Sequence, residues 1–163
     1  MTTDGVTILP WAVTDRDDVT EFILGIQQGE FGLPITAADQ PDLADVDGFY
    51  RSTGGEFWVV RNGGAVVGTI ALVSFEPGRA AIRKLFVAPS HRGPVGLAAT
   101  LMAQLLIWAA AHGVQQVWLG TTSLMTIAQR FYTRLGFERV ARSDLPDSFP
   151  VMAVDSVFFR RAT

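Results

Sequence analysis

The stretch IRKLFVAPSHRGPVGLAATLMAQLLIWAAAHG, residues 82–113, supplies the centre of the predicted structure. Its opening letters, IRKLFV, are rich in β-branched and aromatic residues and predict a strand that ends before Pro89. Pro94 stands where the first turn of a helix tolerates a missing N–H, and a long uncharged helix is predicted from about Val95 to Gly113. The predicted helix therefore begins close to the end of the predicted strand.

The turn between this strand and this helix is a candidate anion site. A helix N-terminus presents unpaired N–H groups and the positive end of the helix dipole. Arg92, Gly93 and Gly96 lie at that end, and glycine lets a phosphate approach the backbone closely. The turn is not a P-loop, and it fits a dinucleotide fingerprint poorly because the preceding strands are predicted as hairpins. We expect a phosphate-bearing cofactor here, with a small-residue helix start packed on the sheet as the alternative.

The composition describes one globular domain, residues 1–163. Hydrophobic residues make up 48% of the chain and charged residues 18%. The formal net charge of −3 argues against general nucleic-acid binding, which rests on basic surfaces. The lack of cysteine excludes a disulfide framework, a thiol nucleophile and a Cys-ligated metal. Only His91 and His112 are left as imidazole ligands, and no metal site is expected.

The apolar stretch at residues 97–111 raises the question of a membrane span. Thr100 and Gln104 interrupt it and Gly113 ends it, so a buried helix fits better than a transmembrane one. The first residues, MTTDGVTILP, lack the basic and apolar regions of a signal peptide. We therefore expect a cytoplasmic protein that binds neither membrane nor nucleic acid.

Periodicity and turn signals predict the remaining elements. They indicate an opening strand at residues 6–11, a helix from about 14 to 29, a loop over 30–41 and a short helix over 42–51. A hairpin follows with strands at 57–60 and 65–75. After the central helix come a strand at 116–120, a helix that Gly136 stops, and strands at 137–141 and 151–160. The predicted fold class is α/β, with three antiparallel strands leading into the central helix.

Two blocks of the sequence carry a resemblance to a known family. In the first, Arg92 is followed by GLA at residues 96–98; in the second, LGTT at 119–122 leads through AQRFY at 128–132 to LGF at 135–137. The sequence resembles the GCN5-related N-acetyltransferase (GNAT) superfamily, whose acetyl-CoA loop has the pattern Arg/Gln-x-x-Gly-x-Gly/Ala. The spacing after Arg92 is one residue longer than that pattern. The resemblance covers about residues 57–140.

The resemblance implies a GNAT-type α/β fold, in which helices flank a mixed, mostly antiparallel central sheet and a splayed strand pair forms the acetyl-CoA cleft. It also implies acetyl-CoA as the cofactor, with the pyrophosphate on the loop amides and the pantetheine beside the preceding strand. The implied cofactor-binding residues are Leu85, Phe86, Val87, Arg92, Gly93, Pro94, Val95, Gly96, Leu97, Ala98 and Thr121. Arg79, Arg83 and Lys84 either complement the phosphates or form a solvated strand face.

The same resemblance makes Tyr132 the first candidate for a catalytic residue. Acetyl transfer to an amine needs a neutral nitrogen, a stabilised oxyanion and a proton for the departing thiolate. A tyrosine with its ordinary pKa of about 10 can supply that proton. The alternative is a core tyrosine in an amphipathic helix, beside Phe131.

The general base is harder to identify, because many relatives place a glutamate on the strand at residues 82–87 and this chain has no carboxylate there. Glu76, before the turn into that strand, is the nearest candidate for a catalytic base, and Glu30, Asp39 and Asp42 are others. An amine with a pKa of about 10.4 is almost wholly protonated at pH 7, so a base should matter. Each of these carboxylates also fits a plain surface position.

The acceptor side is predicted from a few residues. Glu30 and Asp42 would attract a cationic amine, and Phe31 would line an apolar wall. Residues 149–159 either close this pocket or form a strand exchanged between two subunits. A homodimer therefore stays open.

The sequence predicts an N-acetyltransferase that moves an acetyl group from acetyl-CoA to a primary amine by direct attack. The acceptor would be a small molecule, an amino acid or a peptide. The alternative is a non-catalytic acyl-CoA-binding sensor, which the missing strand glutamate favours, as does Met125 where many relatives have an asparagine. A plain interaction domain is a third alternative, and it predicts no CoA-dependent rise in melting temperature.

Overall fold

The computed structural model describes residues 2–3, 5–93 and 96–163. In chain order the elements are β1 (Thr2–Thr3), β2 (Val6–Pro10), α1 (Arg16–Leu24), α2 (Val46–Phe49), β3 (Glu56–Asn62), β4 (Ala65–Glu76), β5 (Arg79–Val87), α3 (Leu97–Ala111), β6 (Gln116–Thr121), α4 (Thr126–Arg134), β7 (Glu138–Val140) and β8 (Val157–Ala162). Each predicted strand and helix has a counterpart in this order, although several bounds differ.

The strands of the described residues form one sheet in the order β1-β2-β3-β4-β5-β6-β8-β7. Strands β5 and β6 are parallel, and their neighbours pair antiparallel. The hairpin between β3 and β4 turns at Gly63 and Gly64, whose φ angles of 59° and 89° suit a tight turn of this kind. The mixed, mostly antiparallel sheet flanked by helices is confirmed.

Helix α3 packs on one face of the sheet, which explains why its sequence lacks charge. Its side chains Leu101, Met102 and Leu105 are buried in the largest hydrophobic core, together with residues of α4 and the strands. Gly68 on β4 permits close packing, since a Cβ there would lie 2.8 Å from Leu97 Cδ2. Each buried leucine contributes roughly 1.5–3 kcal/mol. This core fixes where the N-terminus of α3 stands.

The opposite face of the sheet is covered by α1, α2 and the connection between β7 and β8. Val19 and Ile23 of α1 pack there with Tyr50 and Phe57 in a second core. A smaller third cluster lies beside it and includes Ala81, Trp118, Phe149 and Phe158. The two faces of the sheet are called the α3 side and the α1 side below.

The parallel pair β5 and β6 stays together over a short distance only. Its register runs from Arg79 opposite Gln116 to Ala81 opposite Trp118 and stops there. Beyond that point β5 remains paired with β4 alone, through Val87 opposite Gly68. The two strands therefore part towards their C-terminal ends, and the predicted splayed strand pair is confirmed.

A β-bulge in β5 lies at the place where the strands part. Arg83 pairs with Ala71 and Phe86 with Thr69, so two residues of β5 stand opposite one residue of β4. Lys84, in the bulge, has a φ of 56°, and its carbonyl accepts a hydrogen bond of 2.7 Å from Thr69 Oγ1. A left-handed lysine is strained, and such strain is typical of functional sites.

Two segments differ from the sequence prediction in their local form. The first helix continues beyond α1 as a π-helical turn, Gly25–Glu30, and so extends through the predicted end at Gly29. The predicted helix over residues 42–51 is reduced to α2, flanked by 3-10 turns at Pro41–Leu43 and Arg51–Thr53. Helix α2 contains a glycine, which disfavours a longer helix.

The last predicted strand, residues 151–160, begins only at Val157 as β8. Asp155 accepts a hydrogen bond of 2.9 Å from the Met152 N–H, and this local turn replaces strand pairing. Strand β8 lies between β6 and β7 of its own chain. Across the residues that the structure describes, no helix has both the length and the apolarity needed to cross a bilayer.

Candidate active site between two parting strands

The gap between β5 and β6 beyond Ala81 and Trp118, called the opening below, is the candidate site. The N-terminus of α3 lies on one side of the sheet here, and the β7–β8 connection lies on the other. Leu85 and Val87 of β5 face the α3 side, whereas Phe86 faces the α1 side. Over these residues, 85–87, the edge of β5 does not pair with β6.

The first turn of α3 leaves the amides of Leu97 and Ala98 without a side-chain partner among the described residues. Gly96 is the N-cap residue, and within residues 2–3, 5–93 and 96–163 no side chain caps the first turn that Leu97 and Ala98 begin. The Gly96 N–H bonds the Gly93 carbonyl at 2.9 Å, and Gly93 has a φ of 136°. Pro94 and Val95, also predicted to bind the cofactor, lie outside the described residues. The described part of the turn fits an anion that accepts backbone N–H groups.

Arg92, which lies in the turn, is held by two partners from other parts of the described chain. Its Nε donates to the Val87 carbonyl at 2.9 Å, and its Nη1 lies 2.8 Å from Glu30 Oε1. Glu30 stands at the end of the π-helical turn, and the following Phe31 is exposed. The structure thus joins a predicted cofactor residue to a predicted acceptor residue. Their roles towards ligands stay predictions.

Tyr132 lies in the α3-side core, among aromatic rings. Its ring centroid is 5.6–5.8 Å from those of Phe131, Phe137 and Phe159. In the described part of the chain its hydroxyl has no hydrogen-bond partner, and burial raises the pKa of Tyr132 to about 12. The phenol is therefore protonated at neutral pH and is able to donate.

Glu76 lies at the end of β4, and Arg79 Nη1 approaches its Oε1 at 3.2 Å. Arg79 is also the residue at which β5 and β6 are still paired, opposite Gln116. The register thus separates Glu76 from the opening, and the structure does not bring it together with Tyr132. Thr121, at the C-terminal end of β6, lies on the open part of that strand.

A buried polar network that the sequence analysis missed surrounds Lys84. Its ammonium lies 3.5 Å from Asp42 Oδ2 and bonds Gln40, and Tyr50 donates to the same Asp42 oxygen at 2.5 Å. Gln27 and Gln40 exchange hydrogen bonds of 2.8 and 3.2 Å beside them. Burial lowers the pKa of Lys84, and burial together with the Asp42 charge raises that of Tyr50. Lys84 is therefore not part of a solvated strand face.

The network changes the setting of Asp42, which was predicted to attract an amine. Its charge is already countered by Lys84, and its Oδ2 already accepts the Tyr50 hydroxyl. The network instead holds the bulge of β5 against the loop that precedes α2. The role of Asp42 towards an acceptor stays a prediction.

Asp155 and Arg83 are two further residues at the opening. Asp155 was not predicted from the sequence, and Arg83 was predicted only as a phosphate contact or as part of a solvated strand face. Asp155 lies in the β7–β8 connection, against Gly120 of β6. Arg83 lies on the bulged part of β5. Burial raises the pKa of Asp155, while the Met152 N–H and the charges of Arg83 and Arg142 oppose that rise. The sequence signal was faint, because residues 151–160 were predicted to be one strand.

The comparisons with known proteins agree with this geometry. The model of the acetyltransferase (GNAT) family matches residues 21–137. An acetyltransferase of GNAT family from Staphylococcus aureus Mu50 superposes with a TM-score of 0.90 at 32% identity, covering 96% of this chain and 98% of that one. An acetyltransferase from Streptococcus agalactiae 2603 gives 0.91 at 26% identity, with coverages of 99% and 100%.

A curated relative adds a protein of known product. The N-acetylaspartate synthetase of Danio rerio is 33% identical over 111 residues, which are 68% of this chain and 39% of that protein. The chain spans less than half the length of the first curated relatives that it matches.

Proposed function

This chain belongs to the acetyltransferase (GNAT) family, and on that premise we propose that it transfers an acetyl group from acetyl-CoA to a primary amine by direct attack. One observation carries the proposal. Strands β5 and β6 part beyond Ala81, beside a helix whose first turn has no side-chain cap from the part of the chain that the structure describes. The gap offers a path between the two faces of the sheet, with an anion site at one end.

The described residues fit the cofactor. The amides of Leu97 and Ala98 would hold the pyrophosphate at the helix N-terminus, after Gly96, whose own N–H already bonds the Gly93 carbonyl. The edge of β5 at residues 85–87 would lie beside the pantetheine, and Thr121 would lie on the other wall. Acetyl-CoA supplies the acyl group as a thioester with a good leaving group. Pro94 and Val95 stay in the predicted set, without a structural account.

Tyr132 would act as the general acid. Burial keeps its phenol protonated, since its pKa of about 12 lies far above neutral pH. A hydroxyl that has no hydrogen-bond partner among the described residues can deliver a proton to the leaving sulfur without first breaking another hydrogen bond. The family match to residues 21–137, which include Tyr132, supports this role.

The acceptor is proposed to be a small amine or an amino acid. The relative from Danio rerio, whose name gives an N-acetylated amino acid as its product, supports this class over a protein substrate. Short peptides are tested as alternative acceptors in the same experiment. The cytoplasmic location expected from the sequence stays a prediction.

The test is release of CoA thiol from acetyl-CoA in the presence of a panel of amines, amino acids and short peptides. We expect turnover with at least one acceptor, and a fall in kcat of about 100-fold for Tyr132→Phe at that acceptor. Tight acetyl-CoA binding without turnover on any acceptor would establish the sensor instead. Absence of any acetyl-CoA-dependent rise in melting temperature would contradict both readings.

The second tyrosine of the chain provides a matched control. Tyr50→Phe also removes one hydroxyl, but this hydroxyl bonds Asp42 inside the buried network. We expect Tyr50→Phe to lower the melting temperature, whereas Tyr132→Phe leaves the ring packing and the melting temperature close to wild type. An equal loss of turnover in both variants at equal stability would contradict the role of Tyr132 as the general acid.

A further inference from the structure

A carboxylate and a guanidinium lie on the α1 side of the opening, one on each wall. Ala81 of β5 and Trp118 of β6 are the last paired residues, and both belong to the cluster on the α1 side. Because side chains alternate along a strand, Arg83 and Gly120, two residues further on, face that same side. These positions form the two lips of the opening.

Asp155 is fixed over the β6 lip. A Cβ at Gly120 would overlap the Asp155 carboxylate, so glycine is what allows this side chain to lie on the strand. Asp155 Oδ2 accepts the Met152 N–H at 2.9 Å, and the adjacent Ser156 N–H donates to the Thr121 carbonyl at 2.8 Å. The carboxylate is therefore partly desolvated and held at one place, and its other oxygen accepts no hydrogen bond from the residues that the structure describes.

Arg83 is fixed on the β5 lip. Its Nη2 donates to the Pro150 carbonyl, which orients the guanidinium along the β7–β8 connection. Among the residues that the structure describes, no carboxylate lies within 4.0 Å of it. Its neighbour Lys84, by contrast, is already paired with Asp42. Arg83 thus keeps donors for an anion that comes from outside the chain.

Two charged groups of the described residues act on Asp155. Arg83 faces it from β5, and Arg142 faces it from the start of the β7–β8 connection, where its guanidinium lies 5.7 Å from the centre of the Phe158 ring. Behind Arg83 stand Lys84, Asp42 and Tyr50 of the buried network. The site therefore presents one carboxylate near two guanidinium groups, and the Arg83 guanidinium lies on the strand opposite the carboxylate, an arrangement that suits a ligand with both charges.

We propose that the acceptor carries both an ammonium group and a carboxylate, as a free amino acid does, with Asp155 binding and deprotonating the ammonium and Arg83 pairing with the carboxylate. This inference rests on the proposed acetyl transfer and names its substrate class. Burial favours it further, because a raised pKa makes the Asp155 carboxylate a better proton acceptor than a solvated one.

The chemistry balances in the following way. Asp155 takes one proton from the acceptor ammonium, directly or through one water, and frees the nitrogen lone pair. The nitrogen bonds to the thioester carbonyl carbon, the carbon–sulfur bond breaks, and the sulfur keeps the electron pair. Tyr132 gives its proton to the sulfur, and the second proton that the nitrogen loses on forming the amide returns to Tyr132 through solvent. Asp155 releases its proton to water, so the products are one amide, one thiol and one proton.

The substrate class is tested by comparing each amino acid with its amide, which has the same amine but no carboxylate. We expect wild type to prefer the amino acid by about 10- to 100-fold in kcat/KM, the range for a charge-assisted hydrogen bond. Arg83→Met should abolish this preference by lowering kcat/KM for the amino acid alone. Arg139→Gln, an exposed cation on the edge strand β7, should keep it.

The base is tested by Asp155→Asn, which keeps the shape and can still accept the Met152 N–H. We expect kcat/KM at pH 7 to fall about 100-fold. The loss should shrink as the pH rises, because solvent then supplies the neutral amine. Glu138→Gln, an exposed carboxylate on β7, should follow the wild-type pH profile.

Two outcomes would overturn this inference while leaving acetyl transfer intact. One is equal kcat/KM for amino acids and their amides in wild type, and the other is a pH profile of Asp155→Asn parallel to that of wild type. Failure of the proposed function itself would be different, since no amine, amino acid or amide would then release CoA. An acetyl-CoA-induced rise in the melting temperature of each variant would show that the variant still folds and binds the cofactor.

Discussion

The two sides of the opening use different means to hold a ligand. On the α3 side, the candidate contacts are backbone amides at Leu97 and Ala98, fixed by an apolar core. On the α1 side, they are charged side chains, Arg83 and Asp155, beside the buried pair of Lys84 and Asp42. A backbone site is damaged by a change of chain conformation, whereas a charged site is damaged by the loss of a single charge.

The largest effect is expected from removing a charge on the α1 side. Lys84→Met leaves Asp42 buried without its cation, which should cost about 3–5 kcal/mol in the free energy of unfolding. The side chains of Lys84 and Asp42 are only 9% and 15% exposed, so solvent cannot take over. Urea denaturation measures the change. The double variant Lys84→Met with Asp42→Asn should recover part of the loss, and no recovery would mean that the pair is not coupled.

The next effect is expected from a change of backbone on the α3 side. In Gly96→Ala the new Cβ would lie 2.8 Å from the Gly93 carbonyl oxygen, so the turn must shift. Acetyl-CoA at 100 times its wild-type Kd should stabilise wild type by about 2.7 kcal/mol and this variant by much less, as measured by thermal unfolding with and without ligand. Gly25→Ala, where a Cβ meets open space, is the control. Undiminished stabilisation of Gly96→Ala would place the cofactor elsewhere.

The smallest effect is expected at the exposed contact between the two sides. Arg92 and Glu30 form an ion pair whose side chains are 42% and 28% exposed, so Arg92→Gln and Glu30→Gln should each change the free energy of unfolding by about 0–1 kcal/mol. Their effects on acetyl-CoA affinity should differ. If Arg92 contacts a phosphate, only Arg92→Gln weakens binding in calorimetric titration. Equal affinities of the two variants for acetyl-CoA would mean that this ion pair only stabilises the turn.

The same contrast explains which parts of the molecule could be predicted from the sequence. Local patterns indicated α3, its glycine-bearing turn and the order of the strands, because periodicity and turn residues act over neighbouring positions. The resemblance carried by the two blocks then predicted the parting of β5 from β6, which the register confirms. The residues that form the α3 side of the opening thus lie in contiguous stretches of the sequence.

The α1 side could not be predicted in this way, because its residues come from distant parts of the chain. Gln40, Asp42 and Tyr50 meet Lys84 only after the sheet has formed. The bulge adds to the difficulty, since it shifts the alternation along β5 and places Lys84 on the α1 side, whereas strict alternation would place it on the α3 side. Asp155 could not be predicted for a related reason. The sequence around it predicted a strand, whereas the structure has a turn there.

The position of β8 bears on how the protein is made. Strands β6 and β7 leave the ribosome before β8, yet β8 is the strand that joins them. Until it arrives, β6 has an unpaired edge, and Val117 and Leu119 lie on an incomplete surface that can pair with another chain. The lip that carries Asp155 also depends on this late step, since the β7–β8 connection is anchored only when β8 docks. Premature termination within the connection would therefore yield a chain with its α3 core largely encoded but no acceptor site and an aggregation-prone edge.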